Sequence, residues 1–364
     1  MEHRGVDAPD HAPVIQEIPK PVPESYGNAE GEYWTLRGAA GLTDQSARGK
    51  LLMTGSDRER FLNGMVTMNV QGLSPGVCVY ATAIDAQGHT LTDLWVHARQ
   101  DGYVLETDPG LEEKLRASLD RYLIADDVEM KGVTEGWTLL GLRGPRASSV
   151  LDEAVGGLPS DLPANHSHTV LVGGTEIAIV ARPNAPAPGY DLWLAPGRTR
   201  ALWHGLVEAG ARPVGSAALE IVRVEAGIPR YGAEITEQVT PLEAGLIGAV
   251  DFAKGCYIGQ EVIAKMHHRG KPRRVLVGLR IEADAPPDPG TPVTAEGKSI
   301  GQVTSSVRSP GLSQTIGLSL IRRGFEDEGR LVSIGPDTQA EILPLPFLHP
   351  PTDKAQPPMG TDRH

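Results

Sequence analysis

The chain has 364 residues, 40% hydrophobic and 22% charged, with a formal net charge of −12. That length is too great for one compact core and predicts two or three domains of a globular protein. The acidity argues against broad binding of nucleic acid, and no apolar run reaches the length of a membrane span.

In chain order, residues 1–30 read as a disordered arm, polar and rich in proline, with no apolar stretch of a signal peptide. The folded body begins near Tyr33. Arg48 to Gly55 has the pattern of a strand ending in a turn, and Ser56-Asp57 ahead of an apolar run predicts a helix start. Val77 to Ile84 and Thr90 to Ala98 read as strands around Asp85-Ala86-Gln87-Gly88, a hairpin signal. Leu111, Leu115, Leu119 and Tyr122 share one face of a predicted helix. This order predicts an α+β sheet packed on one side by helices.

Thr138 to Leu142 predicts a strand, Arg146 to Ala154 a helix, and Thr169 to Ala181 a hairpin broken at Gly173-Gly174. Arg198 to Ala209 and Ala217 to Glu225 read as helices. From Val275 the texture changes to short β-rich runs separated by Gly and Pro, which predicts a terminal barrel or sandwich. The tail over 350–364 reads as disordered.

Several chemistries find no support. Gly49-Lys50 lacks the upstream glycine of a phosphate loop, and Gly141-Leu142-Arg143-Gly144 lacks the later glycine of a dinucleotide fingerprint. His166/His168 and His267/His268 lack partners at zinc spacing. The two cysteines, Cys78 and Cys256, give no disulfide framework, and a cytoplasmic location is expected. Cys256 stands out in Lys254-Gly255-Cys256-Tyr257-Ile258-Gly259-Gln260-Glu261. A lone cysteine is often a small buried hydrophobe. Its glycine neighbours, Lys254 and a helix predicted from Gln260 would instead make it reachable and partly ionised.

Three blocks carry a family resemblance. They are Gly41 to Ser46 with Phe61 to Gly64, Arg223 to Gly232 with Pro241-Leu242-Glu243, and the Lys254 to Glu261 block with Arg269-Gly270 and Arg273-Arg274. Together they resemble the folate-binding superfamily of the glycine-cleavage T protein, an aminomethyltransferase. The Lys-Gly-Cys-Tyr-x-Gly-Gln-Glu block is similar to the signature of its YgfZ-type branch, linked to iron–sulfur cluster maintenance and earlier described as tRNA-modifying. The resemblance implies an α+β, three-domain cloverleaf around a central folate channel, ending in a β-barrel. Residues 33–50 would join 135–228 in a first folate-binding domain. Residues 51–134 would join 240–275 in a second, ferredoxin-like one, and 276–347 would form the barrel.

The resemblance also assigns roles. Glu225 would accept the paired N–H groups of a reduced pterin, and Tyr80, Tyr190 and Tyr231 would pack around tetrahydrofolate. Asp93 matches the T protein's essential aspartate, and Cys256 would be a functional thiol. Lys254 and Arg269 would join the folate site, Arg269 within a basic cluster suited to an anionic folate tail. The motif residues Gly255, Tyr257, Gly259, Gln260 and Glu261 would support Cys256. Partners would be iron–sulfur client or assembly proteins, or a lipoyl carrier protein under the aminomethyltransferase alternative. Thr92, Pro183-Asn184-Ala185-Pro186 and Asp288 depart from the T-protein pattern and favour the maintenance reading.

Overall fold

The computed structural model describes residues 18, 21–159, 162–182, 185–268 and 270–349. Helix α1 (Ala29–Gly38) starts where the Asn28 side chain accepts the Gly31 amide at 3.0 Å. Glu30 and Glu32 in its first turn and Arg37 in its last suit the two ends of the helix dipole. Ahead of it, the carbonyls of Pro23 and Glu24 accept the amides of Ser216 and Ala217. The expected arm over 1–30 is thereby corrected: its last ten residues pack, because their backbone satisfies a helix start elsewhere. Residues 1–17, 19–20 and the tail 350–364 lie outside the described residues.

After β1 (Gly41–Asp44) the chain builds β2 (Gly49–Thr54), α2 (Arg58–Met65), β3 (Cys78–Ile84), β4 (Thr90–Ala98), β5 (Tyr103–Thr107), α3 (Glu112–Asp120) and β6 (Glu129–Gly132). These strands form an antiparallel sheet of order β3-β4-β5-β2-β6. One face carries Leu51, Met53, Ala81, Leu94, Val96 and Leu105, on which α2 and α3 bury Phe61, Leu62, Leu115 and Leu119. The period of two in the strands meets the helical stripe, as the sequence pattern requires.

Next come β7 (Thr138–Arg143), α4 (Ala147–Val155), β8 (Ser167–Val172), β9 (Thr175–Arg182), β10 (Gly189–Leu194), α5 (Thr199–Glu208), β11 (Arg212–Pro213) and α6 (Ser216–Glu225). The second open sheet has the order β11-β1-β7-β10-β9-β8, so β1 joins strands far along the chain. Helices α4 and α5 cover one of its faces with Val150, Leu151, Leu202, Trp203 and Leu206. Each such fully buried side chain contributes about 1.5–3 kcal/mol.

Helix α7 (Gln260–His268) leads into β12 (Arg274–Ile281), β13 (Pro292–Ala295), β14 (Lys298–Ser309), β15 (Gln314–Arg322), β16 (Leu331–Ile334) and β17 (Thr338–Leu343). They close as a barrel in the order β12-β15-β14-β13-β16-β17, with β17 back on β12. Register shifts at Val293/Thr294 and Val303/Ser305 supply the bulges that let the sheet curl. The open choice between barrel and sandwich resolves as a barrel, and the chain has the expected mixed α+β fold. Among the described residues no helix is long and apolar enough to cross a membrane.

The two open sheets press their other faces together through Cys78, Val104, Leu139, Val180 and Trp193. Beside this seam the segment around Ile235, Val239, Leu246 and Ala249 packs against barrel residue Leu320.

Candidate functional site

The β3–β4 hairpin sets the geometry. Asp85 closes its turn by accepting the Gln87 and His89 amides at 2.9 and 2.8 Å, and Gly88 takes the left-handed conformation at φ +82°. Along β4, Thr90, Thr92, Leu94 and Val96 are buried on one face. Asp93 and Trp95 therefore point to the other. Tyr80 is registered opposite Trp95, so its hydroxyl reaches diagonally to donate to Asp93 Oδ2 at 2.7 Å.

Tyr80 and Tyr231 both pack on the cluster of Ile235, Val239, Leu246 and Leu320, where the second half of the chain closes over the hairpin. The Lys114 ammonium donates to the Tyr231 hydroxyl and lies 4.8 Å from its ring centre. Arg48, which pairs with Asp108 at 2.6 Å, is close enough to act on Asp93. Burial, with the Asp108 charge, pushes the Asp93 carboxyl above its ordinary value. Burial and Asp93 in turn push the Tyr80 phenol well up. Asp93 Oδ1 is buried and has no hydrogen-bond partner among the described residues. A buried acceptor left in that condition costs about 1–3 kcal/mol.

The structure brings Tyr80 to Asp93, and sets Tyr80 and Tyr231 on one apolar cluster. It does not bring the other expected positions to them. Tyr190 packs on the core of the other sheet, against the layer covered by α4 and α5. Glu225 is 0% exposed, and its carboxylate accepts from Tyr33, Arg37 and Ser309. Its carbonyl accepts from Phe347 and Leu348 as well. This corrects the pterin role: Glu225 is a tie between α1, α6 and the barrel, with its oxygens already occupied. The Gly227 that follows it, at φ +66°, has Leu345 where a Cβ would stand. Arg269 lies outside the described residues.

The cysteine block is also reinterpreted. Cys256 is exposed. Lys254 is buried, and its Nζ donates to the carbonyls of Asn63, Val66 and Met68 at 2.7, 2.7 and 2.9 Å. Burial pushes its pKa down to about 8. It is a cap on the end of α2 rather than a free cation for the thiol or for folate. Tyr257 is buried beneath it, with Lys254 Nζ 5.1 Å from the ring centre. Gly259 has φ +76°, and a Cβ there would strike the Asp85 carbonyl of the hairpin turn. Gly255 borders open space, so sterics do not require it. Gln260 and Glu261 open α7. The block docks α7 on α2 and the hairpin and leaves one thiol outside.

Two tests arise here. Lys254→Met should cost about 1–3 kcal/mol, since buried carbonyls lose their donor; an unchanged urea midpoint would show that the three bonds add nothing. Native-state alkylation should label Cys256 and spare Cys78. Burial pushes the Cys78 thiol up to about 11, and its Sγ is held between the Asn165 carbonyl and Arg182. Equal labelling of the two thiols would contradict this arrangement.

Sequence reasoning missed the charged seam between the sheets. Glu106 accepts from Arg48 and lies 2.8 Å from His97 Nε2. Asp191 accepts from Arg143, and from Arg182 Nε at 2.6 Å. The Arg182 guanidinium lies 3.8 Å from the Trp95 ring centre. Burial alone would raise the Glu106 and Asp191 carboxyls; the guanidinium groups outweigh it and hold both below the ordinary range. Burial lowers His97. The available signal was charge inside apolar strands, as in Ala181-Arg182 and Tyr190-Asp191-Leu192, since such groups must be paired if buried.

These shifts fix a pH dependence. The unfolded imidazole takes its proton as pH falls through about 6.5, while buried His97 resists. The pairing of Glu106 and Asp191 is fully present above about pH 4.5 and is lost as pH falls toward their lowered values. Asp93, with its raised value, opposes them in the acid range, one group against two. Unfolding free energy from urea titrations should therefore decline as pH falls through about 6.5, where His97 acts, and again below about pH 4.5, where the Glu106 and Asp191 pairing is lost. A flat profile would show that these groups titrate alike in both states.

Two open sheets meeting at a buried, charged seam and closed off by a terminal barrel, with an underpaired acid at their junction, define a T-protein-type scaffold. The GCVT N-terminal domain model matches residues 16–254, and the glycine cleavage T-protein C-terminal barrel domain model matches 274–348. The chain belongs to the glycine cleavage T-protein family. It is 35% identical over 328 residues to an aminomethyltransferase of Rubrobacter xylanophilus, covering 90% of this chain and 88% of that one. It is 32% identical over 336 residues to an aminomethyltransferase of Geobacillus kaustophilus, covering 90% and 92%. The crystal structure of the glycine cleavage system aminomethyltransferase T from Bartonella henselae has the same fold, with a TM-score of 0.82 at 24% identity over 90% of this chain and 91% of that one.

Proposed function

We propose that this protein binds tetrahydrofolate at Asp93, Tyr80 and Tyr231 and acts as a folate-dependent transferase of the aminomethyltransferase kind, drawing on a lipoyl carrier protein. The observation that carries the reading is the buried, unpartnered Oδ1 of Asp93 beside the Tyr80 hydroxyl. A folate fits these residues: its flat ring suits tyrosine faces, and its ring N–H groups supply the donor that Oδ1 lacks. When bound, tetrahydrofolate supplies the nitrogens that accept the one-carbon unit. Asp93 would accept and hold a proton at Oδ1, a task its raised pKa favours. Tyr80 would fix the carboxylate, and the apolar cluster under it would exclude water.

Relatives named aminomethyltransferase, matched along about nine-tenths of both chains, support this reading over the maintenance reading that the motif alone favoured. We read the two sheets as the discontinuous folate-binding domains expected from the sequence. The test is formation of methylene-tetrahydrofolate from an aminomethyl-loaded lipoyl carrier protein. Turnover near about 10 per second supports the reading, and background rates overturn it.

One observation favours the second reading, a YgfZ-type factor for iron–sulfur proteins. The exposed Cys256 sits on a loop pinned by Lys254, Tyr257 and Gly259. In a strain lacking that factor, this reading expects rescue by the intact protein and failure of Cys256→Ser.

A further inference from the structure

A cleft of about 320 Å3 opens at the seam of the two open sheets. Arg99 and Gln100, just past the end of β4, line it together with Ser167, Thr169 and Trp193. Arg99 follows Asp93 by six residues, about 20 Å of extended chain, so the cleft is separate from the proposed folate site.

Its donors are out of balance with its acceptors. Arg99 Nε–H is buried and has no partner among the described residues. Arg99 forms no ion pair with any described carboxylate, and of the carboxylates only Asp101 acts on it through its charge. Trp193 is 1% exposed, and its indole Nε1–H is likewise buried and unpaired. Native interiors leave few such groups, and two lining one cleft point to an acceptor from outside the chain. The arginine is also held in place, with its guanidinium carbon 4.5 Å from the Trp137 ring centre and 5.7 Å from that of Trp193. On the buried side, the Lys50 ammonium lies 5.7 Å from the Trp193 ring centre and adds positive potential.

We infer that this cleft is an oxyanion site, taking a small carboxylate or phosphate whose oxygens accept from Arg99 and the Trp193 indole. A planar guanidinium fork suits both anions. The cleft volume falls at the small end of ligand pockets, which limits the ligand to a compact metabolite or one anionic group of a larger one.

The test uses the full chain and three probes: inorganic phosphate, acetate and succinate. Tryptophan fluorescence reports occupancy, because Trp193 lines the cleft. The intact protein should respond saturably to at least one probe, and the phosphate and carboxylate arms distinguish the two sources. Arg99→Gln should weaken that response at least about tenfold, and Arg99→Lys, which keeps the charge without the fork, should fall between. Asp93→Asn should leave it unchanged. No saturable response to any probe up to about 10 mM, or equal binding by Arg99→Gln and intact protein, would overturn the site. Should Arg99→Gln fail to fold, Arg99→Lys decides: affinity equal to intact protein overturns the site, and weaker affinity supports it.

Discussion

Arg182→Ala is expected to lower the unfolding free energy by about 3–5 kcal/mol, the scale for removing one partner of a buried charge pair. Arg182 is 4% exposed and serves Asp191 at 2.6 Å, Glu106 at 3.6 Å and the Cys78 sulfur at 3.1 Å while covering Trp95. Its loss would leave Asp191 to Arg143 alone and Glu106 to Arg48 and His97, at a seam where water cannot replace the missing charge. Arg182→Lys should rescue little, because an ammonium can neither fork between Asp191 and Glu106 nor stack on the indole. Alanine at the exposed Arg198 should change stability by less than about 0.5 kcal/mol. Urea denaturation of the three variants checks this. A loss below about 1 kcal/mol for Arg182→Ala would mean that charge does not hold the sheets together.

Asp93→Asn is expected to reduce transferase turnover by about 10²–10⁴-fold, the range for losing a positioned acid–base group. The substitution keeps the shape of the side chain and removes one of two neighbouring negative charges, so stability should not fall. The pairing of the two outcomes separates function from structure: packing residues lose stability when changed, whereas an underpaired acid kept for chemistry does not. Turnover of Asp93→Asn equal to that of the intact protein would remove Asp93 from the reaction. Loss of stability in proportion to activity would make it an ordinary core residue.

Much of the fold was legible because it rests on local rules. The β3–β4 hairpin announces itself through Asp85 to Gly88, and the barrel through short β runs cut by Gly and Pro. Helix α1 was missed although Asn28, the early glutamates and Arg37 mark its ends, because the polar flanking sequence masked its short apolar face of Tyr33 and Leu36. The site was legible only in part. Asp93 and Tyr80 share one hairpin, so alternation places them together. The fates of Glu225 and Lys254 depend on partners far along the chain, Ser309 of the barrel 84 residues away in one case and Asn63 at the end of α2 191 residues away in the other. Residue type and motif spacing mark such groups as special without saying whether a ligand or the protein itself fills their valences. The same limit hid Arg182, whose contacts with Glu106, Cys78 and Trp95 cross from one sheet to the other.

The most direct test of the central claim, a folate site built on Asp93, is calorimetric titration of tetrahydrofolate into the intact protein and Asp93→Asn. Saturable single-site binding is expected for the intact protein, weakened by about 1.5–3 kcal/mol in Asp93→Asn through loss of a charged acceptor. No saturable heat with the intact protein, or equal affinity in the two, would contradict it.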